Sequence, residues 1–155
     1  QVAIVGDIVS SRVARSAIAG MTALDAKITL VGPAHLVPAS MTTLARAPGT
    51  VTIEPTIDAV LERADAIMLL RIQFERHARN TAGPIASVRQ YRDSFALTLK
   101  RAERMKPGAV LMHPGPVNRG LEIDSELVDD SRSLIASQVS WGLATRAAVL
   151  EACLC

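Results

Sequence analysis

Short apolar runs alternate with segments of helical spacing along most of the chain. Five runs carry the aliphatic and β-branched side chains typical of strands, and glycine, proline or polar residues follow them. These runs are residues 2–5, 28–31, 51–53, 66–70 and 109–112. Residues 66–70 are apolar throughout, which favours a strand covered on both faces. The runs therefore predict a buried parallel sheet of five strands.

Six segments between or after these runs have the spacing of helices. They are residues 11–24, 38–46, 57–63, 85–92, 97–105 and 133–154. Thr56 is the predicted N-cap of the third helix. The side chains predicted to point into the core from the first and third helices are Val13, Ile18, Met21, Leu24, Ile57, Val60 and Leu61. Strands alternating with helices in this way predict a three-layer, Rossmann-like α/β domain, with helices on both faces of the sheet.

Composition narrows the class of protein. The chain has 155 residues, 49% hydrophobic and 21% charged, which favours one ordered globular domain over residues 1–155. A net charge of +2 without runs of like charge argues against a nucleic-acid partner. No apolar run is long enough for a membrane span, and the first residues lack a signal-peptide pattern. Because Cys153 and Cys155 suggest no disulfide framework, a reducing cytoplasm is expected.

Three segments follow predicted strands at the edge where parallel α/β sheets bind ligands. The first, residues 6–16, opens a helix, where main-chain N–H groups and the helix dipole favour anions. It has Gly6 alone instead of the three glycines of a dinucleotide fingerprint, so no nicotinamide cofactor is expected. Arg12 falls in the first helical turn and could reach back over the strand end. A solvated arginine in a plain turn explains the same residues.

Arg71 begins the second segment, directly after the fourth apolar run. A planar guanidinium here suits bidentate binding of a ligand carboxylate better than a lysine would. Residues 71–85 predict a long loop, and long loops in compact domains are often functional. Glu75 and Arg76 could pair locally and hold that loop. An ordinary charged surface is the alternative, and the residues alone leave both interpretations open.

The third segment is a turn formed by His113, Pro114, Gly115 and Pro116. Prolines donate no main-chain hydrogen bond, so the turn offers mainly carbonyl acceptors, which suit a substrate NH2 group. A rigid structural turn is the alternative. For His113, a hydrogen bond to the main chain is expected rather than a role as a base. No histidine has partners at metal-ligand spacing, so no metal site is expected.

Four segments in this order resemble the aspartate carbamoyltransferase family across essentially the whole chain. They are residues 11–16 (SRVARS), 70–76 (LRIQFER), 113–123 (HPGPVNRGLEI) and 138–146 (QVSWGLATR). One such motif is weak, whereas four at matching spacing are specific. The resemblance implies the aspartate-binding, C-terminal domain of a carbamoyltransferase. That enzyme moves the carbamoyl group of carbamoyl phosphate to the amine of L-aspartate, giving N-carbamoyl-L-aspartate and phosphate for pyrimidine biosynthesis, without a cofactor.

The resemblance also implies a role for each matched residue on the aspartate side. Arg12 would bind one carboxylate of L-aspartate and Arg71 the other, with Gln73 orienting the side chains or the attacking amine. Glu75 would help to position Arg71, and Arg76 would tie down the loop. No residue is assigned as a catalytic acid or base, since the family's catalysis is mainly positioning and charge stabilisation.

On the carbamoyl phosphate side, the resemblance implies that main-chain groups of Pro114 and Gly115 hold the carbamoyl NH2. The bond from Gly115 to Pro116 is expected to be cis. The family's N-terminal phosphate-binding domain and a lysine loop from a neighbouring subunit have no match here. The chain opens directly into its first strand, which suggests a cut at a domain boundary, and the isolated chain is expected to be inactive. A homotrimer is implied, and regulatory or dihydroorotase chains are conceivable partners.

Two other interpretations stay open beside this one. An ornithine carbamoyltransferase shares the fold, but it would carry His-Cys-Leu-Pro where residues 113–116 read His-Pro-Gly-Pro. The other is a regulatory or scaffolding relative that kept the fold but lost catalysis, although Arg12, Arg71 and Gln73 are all in place, which argues against a decayed aspartate pocket. The isolated chain itself could behave as a simple amino-acid-binding module. Ser10, Ala17 and Trp141 depart from the family pattern. None of these three is assigned to the substrate.

Overall fold

The computed structural model describes residues 1–72 and 88–154, which form an all-parallel sheet of five strands. The strands are β1 Val2–Val5, β2 Lys27–Val31, β3 Thr50–Glu54, β4 Ala66–Leu69 and β5 Val110–Met112. Their order across the sheet is β3-β2-β1-β4-β5, and every neighbouring pair is parallel. The predicted strand set and fold class are confirmed.

Within the described residues, five α-helices and two 3-10 helices accompany the strands. The α-helices are α1 Arg12–Ala23, α2 Val88–Phe95, α3 Leu99–Ala102, α4 Ser125–Val128 and α5 Ile135–Leu154. The 3-10 helices are Ala39–Leu44 and Ile57–Ala59. Helix α4 was not predicted. The segments predicted as helices at 57–63 and 97–105 are shorter than expected.

The sheet is covered on both faces because its strands send alternate side chains in opposite directions. Ala3 and Val5 of β1 join one buried cluster with Leu97, Ala102 and Leu127, which lie in or beside α2, α3 and α4. Ile4 of β1 joins the other cluster with Ala14 and Ile18 of α1 and Tyr91 of α2. The two clusters are the two interior layers of the three-layer domain. Ile57, Val60 and Leu61 point inward, as predicted.

The buried face of α1 differs from the prediction. Ala14, Ile18 and Thr22 are buried, whereas Val13 is 41% exposed and Leu24 is 85% exposed. These buried residues are spaced four apart, and two of them are small, so the helix packs closely on the sheet. Thr22 also accepts a hydrogen bond from the Arg46 main-chain N–H at 2.8 Å. The expectation was therefore wrong for Val13 and Leu24, whereas Ile18 is buried as predicted and Met21 packs partly buried against the same cluster.

Thr56 is at the predicted N-cap position, but it does not cap an α-helix. Its side chain makes no capping hydrogen bond, and only the 3-10 turn Ile57–Ala59 follows it. One turn of this kind leaves fewer main-chain N–H groups to satisfy than a full α-helix does. The buried Ile57, Val60 and Leu61 hold the segment against the sheet through packing instead.

Helix α5 leaves the body of the domain after its first turns. Among its residues only Ile135 is buried, and Trp141 and Leu143 are 72% and 69% exposed. A helix that is apolar on several sides normally packs against other protein. Within residues 1–72 and 88–154, no helix has the combined length and apolarity that crossing a bilayer requires.

Candidate functional site

A pocket of about 180 Å³ lies beyond the carboxyl ends of β1, β4 and β5. Its lining combines all three strand-end segments: Asp7, Ser10, Ser11, Arg12, Val13, Leu70, Arg71, Pro114, Gly115 and Pro116. The chain runs from β1 to β2 on one side of the sheet and returns to β4 on the other, so the pocket sits where the strand order reverses. Pockets for drug-sized ligands start at roughly 300 Å³, so this one suits a smaller metabolite.

The register of the sheet brings the first two segments to the same height. Val5 pairs with both Val31 and Leu69, so β1, β2 and β4 end level with one another. Asp7 and Arg71 each follow the end of their strand by two residues. Because neighbouring strands lie about 4.8 Å apart, residues this close to the strand ends share one crevice.

Gly6 allows the ends of β1 and β4 to approach closely. Its φ is +128°, and a Cβ placed on it would lie 2.9 Å from the Leu70 carbonyl oxygen. Any side chain at this position would push the two segments apart or strain the main chain. A single glycine here therefore serves close strand packing and does not form a phosphate-binding loop.

Helix α1 presents a positive N-terminus to the pocket. Ser11 is the N-cap, and its Oγ accepts a hydrogen bond from the Ala14 N–H at 3.1 Å. The first turn contains Arg12 and no acidic residue, although the helix dipole favours negative charge there. The Arg15 guanidinium folds back to the Val9 carbonyl oxygen at 2.9 Å. An anionic ligand in the pocket would offset this concentration of positive charge.

Arg71 is half-buried at the mouth of the crevice and lines the same pocket as Arg12. Two arginines from different strand ends are thus brought together, as the sequence predicted. Gln73, Glu75 and Arg76 fall within residues 73–87, outside the described residues, as does most of the predicted 71–85 loop. Their roles stay predictions.

The 113–116 turn forms the third wall. The bond between Gly115 and Pro116 is cis, which confirms that expectation. His113 is fully buried, and its Nδ1 accepts a hydrogen bond from the Gly115 N–H at 2.9 Å, as expected of a histidine bonded to the main chain. Pro114 and Pro116 have no N–H group, so the turn keeps only carbonyl oxygens for a ligand. Those oxygens can accept hydrogen bonds from an NH2 group.

Two buried acidic residues at the site were not predicted from the sequence. Asp7 is buried at 1% exposure in the pocket wall, and its Oδ1 accepts a hydrogen bond from the Ser10 N–H at 3.1 Å. Glu122 is fully buried behind the turn, and its Oε1 accepts from the Asn118 N–H at 2.7 Å. The position of Asp7 directly after a strand could have flagged it. No pattern in the neighbouring sequence indicates that Glu122 is buried, and acidic residues are usually exposed.

Tyr91 lies beneath the site with its hydroxyl 3.4 Å from the position of a Cβ on Gly6. Burial raises the pKa of Tyr91 well above its ordinary value, and the nearby carboxyl groups of Glu122 and Asp7 raise it further. The tyrosine therefore stays neutral. Within the described residues, no three His, Cys, Asp or Glu side chains cluster so as to hold a metal ion.

Comparison with known proteins extends the likeness over nearly the whole chain. Residues 1–153 match the family model described as aspartate/ornithine carbamoyltransferase, Asp/Orn binding domain. The aspartate carbamoyltransferase catalytic subunit of Myxococcus xanthus is 45% identical over 152 residues, covering 98% of this chain and 48% of that protein. The corresponding protein of Opitutus terrae is 45% identical over 153 residues, 99% of this chain and 46% of that protein. The chain thus spans about half the length of the curated relatives it matches.

Solved structures agree on the fold. An ornithine carbamoyltransferase from Pyrococcus furiosus superposes with a TM-score of 0.81 at 22% identity, over 96% of this chain and 48% of that one. The catalytic subunit of M. jannaschii aspartate transcarbamoylase gives 0.76 at 22% identity, over 96% and 47%. Likeness at this identity establishes the architecture alone. The family match over residues 1–153 goes further: this chain belongs to the aspartate/ornithine carbamoyltransferase family, as an Asp/Orn-binding domain.

Proposed function

We propose that this chain supplies the aspartate side of the active site of an aspartate carbamoyltransferase. The observation that carries the proposal is the pocket in which Arg12 and Arg71 meet a turn that offers carbonyl oxygens. Two guanidinium groups match the two carboxylates of a dicarboxylic amino acid. Carbonyl acceptors match the NH2 group of a carbamoyl donor. The relatives that are 45% identical are named for this activity.

In the proposed reaction the aspartate amine attacks the carbamoyl carbon of carbamoyl phosphate. The new C–N bond forms a tetrahedral intermediate, the C–O bond to phosphate breaks, and the amine nitrogen loses its proton to the departing phosphate. Arg12 and Arg71 hold the two carboxylates, and Gln73 orients the amine. The Pro114–Gly115 segment holds the carbamoyl NH2. The chain's contribution is to fix the two reactants in an attacking geometry, which alone can supply about 7–11 kcal/mol of the barrier.

Aspartate is preferred to ornithine in this proposal because of the charges in the pocket. An ornithine side chain carries a cationic amine, which two arginines would repel. Among the described residues of the pocket lining, Asp7 alone is acidic, and its buried carboxyl group accepts a hydrogen bond from the Ser10 N–H. A site for a cationic substrate would need acidic side chains turned toward the ligand.

The remaining half of the relatives' length is proposed to supply the phosphate-binding domain. The exposed apolar side chains of α5, including Trp141 and Leu143, support this because they form a surface that a second domain would cover. Assembly as a homotrimer, further regulatory or dihydroorotase chains and a cytoplasmic location are predictions that follow from the family resemblance.

The proposal is tested by steady-state kinetics on the intact protein that contains this chain. Arg71→Ala removes a charged, multiply hydrogen-bonded contact, so kcat/KM for aspartate should fall roughly 10- to 100-fold. The KM for aspartate should rise, and kcat should fall as well. Arg63→Ala is the matched control, since Arg63 is exposed, pairs with the half-buried Glu54 and does not line the pocket.

Three outcomes would contradict the proposal. Kinetics of Arg71→Ala equal to wild type would remove the carboxylate assignment. Carbamoyl transfer to ornithine in preference to aspartate would favour the ornithine alternative. Absence of carbamoyl transfer by the intact protein would overturn the function itself. The 155-residue chain alone is expected to show no transfer, and turnover by it would refute the need for a second domain.

A further inference from the structure

We propose that His113 and Glu122 form a buried positioning pair that orients the Pro114–Gly115 peptide, so that the Pro114 carbonyl faces the pocket. The inference rests on the proposed function, because the carbonyl matters as an acceptor for the carbamoyl NH2 group. Neither side chain lines the pocket, and both are fully buried. The pair acts on the reaction through the main chain and not through contact with substrate.

The hydrogen bond at His113 fixes the direction of one peptide unit. Gly115 donates its N–H to His113 Nδ1 at 2.9 Å, so that N–H points toward the buried imidazole. The Pro114–Gly115 bond is not among the cis bonds of the described chain, and in a trans peptide the C=O and N–H groups point in opposite directions. The Pro114 carbonyl therefore points away from the buried ring, and Pro114 lines the pocket.

The same hydrogen bond defines the state of the imidazole. Because Nδ1 accepts, it carries a lone pair, and the ring proton is on Nε2. Nε2 lies 3.3 Å from Glu122 Oε1, an electrostatic contact without hydrogen-bond geometry, and that oxygen accepts the Asn118 N–H at 2.7 Å. Glu122 thus favours the tautomer that leaves Nδ1 open to Gly115, in the way that a carboxylate orients an imidazole in many enzymes.

The pair is poorly explained as a device for stability. Within the described part of the chain, His113 Nε2 and Glu122 Oε2 are buried without a hydrogen-bond partner. Each unsatisfied buried polar atom destabilises the folded state, and apolar side chains of similar volume would avoid that destabilisation. Apolar side chains could not accept the Gly115 N–H, so the peptide would lose the contact that sets its orientation.

Gly115 makes such orientation necessary. Its φ is +73°, and with no side chain it has access to more main-chain conformations than any other residue. Rotation of the Pro114–Gly115 peptide would present an N–H where the ligand needs an acceptor. A carbamoyl NH2 would then face a donor instead of a carbonyl oxygen.

The test compares variants at position 113 in the intact protein. His113→Ala removes the acceptor, whereas His113→Asn places Oδ1 near the position of Nδ1. Loss of orientation should lower kcat on the order of 100-fold in His113→Ala, while the KM for aspartate stays near that of wild type. His113→Asn should restore most of kcat. His35→Ala is the matched control, because His35 is exposed and lies outside the pocket.

Hydrogen exchange of the Gly115 amide measures its hydrogen bond to His113 independently of catalytic activity. The amide should exchange slowly in wild type and in His113→Asn, and fast in His113→Ala. Fast exchange in wild type would overturn the orientation of the peptide. An unchanged kcat in His113→Ala, with an active wild type, would overturn this inference and leave the proposed function standing. A wild type without transfer would overturn the proposed function, and with it the carbamoyl part of this inference.

A merely structural role for His113 gives a different pattern. It would lower the melting temperature and the active fraction, and the asparagine variant would not restore kcat. That pattern would also count against the inference. Arg71→Ala provides the contrast within the same pocket, because it should raise the KM for aspartate, which His113→Ala should leave unchanged.

Discussion

At the scale of single residues, two arginines line the pocket, while the carboxyl groups of Asp7 and Glu122 are buried in or behind its wall. Arg71 directly follows a predicted strand and Arg12 lies in the helical turn after another, so their shared pocket follows from the fold class. Asp7 and Glu122 are buried as a result of contacts between segments far apart in the chain. From the sequence alone, a buried acidic residue cannot be distinguished from the exposed ones that are more common.

At Gly49, neighbouring segments of the main chain approach so closely that they leave no room for a side chain. A Cβ there would lie 2.5 Å from the carbonyl oxygens of both Thr22 and Ala26. Gly49→Ala should therefore lower the free energy of unfolding by about 2 kcal/mol or more, because the main chain of neighbouring segments must move. Urea denaturation of the intact protein measures the change as a lower midpoint at an unchanged slope.

Gly20→Ala is the matched control for this prediction. Gly20 lies within α1, and a Cβ there would meet nothing within 4 Å. Alanine in a helix interior is more favourable than glycine by about 1 kcal/mol, so this variant should be slightly more stable than wild type. Equal midpoints for the two variants would contradict the steric account of Gly49.

At the scale of elements, the strands were predicted well and the helix limits less well. Strands covered on both faces are continuous apolar runs, which polar residues end sharply. The short helices α3 and α4 have four residues each. A helix of one turn is too short for a periodic pattern in the sequence to predict where it ends. Thr98 caps α3 by accepting the Arg101 N–H at 3.3 Å, a local signal that is compatible with a helix of any length.

The Arg101 side chain connects α3 to the end of α2 and to the 3-10 helix Ile57–Ala59. Its guanidinium donates to the carbonyl oxygens of Ala96 at 2.8 Å and Asp93 at 2.7 Å, at the end of α2, and to Asp58 Oδ2 at 2.6 Å. Arg101→Ala should destabilise the protein by about 2 kcal/mol at neutral pH, because several charged hydrogen bonds disappear together. Lys100→Ala, at an exposed neighbouring position, should change stability little. Thermal unfolding of both variants measures the difference.

The effect of Arg101 should depend on pH through Asp58. The hydrogen bond from Arg101 holds the pKa of Asp58 below its ordinary value of 3.8. A lowered pKa in the folded state means that the contact stabilises the protein above the unfolded pKa, and that this is lost as the pH falls through the folded pKa. The difference between wild type and Arg101→Ala should shrink below about pH 4. A difference independent of pH would show that Asp58 contributes nothing.

At the scale of the whole molecule, the fold class followed from the sequence, while the exposure of α5 did not. The alternation of strands and helices leaves few arrangements other than a parallel, doubly covered sheet. The apolar composition of α5 would suggest a buried helix, yet Trp141 is 72% exposed in the described structure. What covers an element cannot be predicted from that element alone.

Trp141 offers a direct measurement of that surface, since it is the only tryptophan of the chain. If the proposed second domain packs on α5, emission from Trp141 should shift to shorter wavelength in the intact protein, because the indole ring leaves water. Acrylamide quenching should weaken in parallel. Subtracting the spectrum of Trp141→Phe isolates the signal. An intact protein in which Trp141 is quenched as strongly as in the 155-residue chain would contradict the proposed domain contact.

The level ends of β1, β2 and β4 have a consequence for engineering. Because the sheet sets the height of each strand end, the position of a pocket residue depends mainly on how many residues separate it from its strand. Loops of equal length could then be exchanged between relatives without any change to the sheet. A change of substrate in this architecture becomes a problem of grafting three short segments. A single insertion at a strand end would do more harm than several substitutions beyond it.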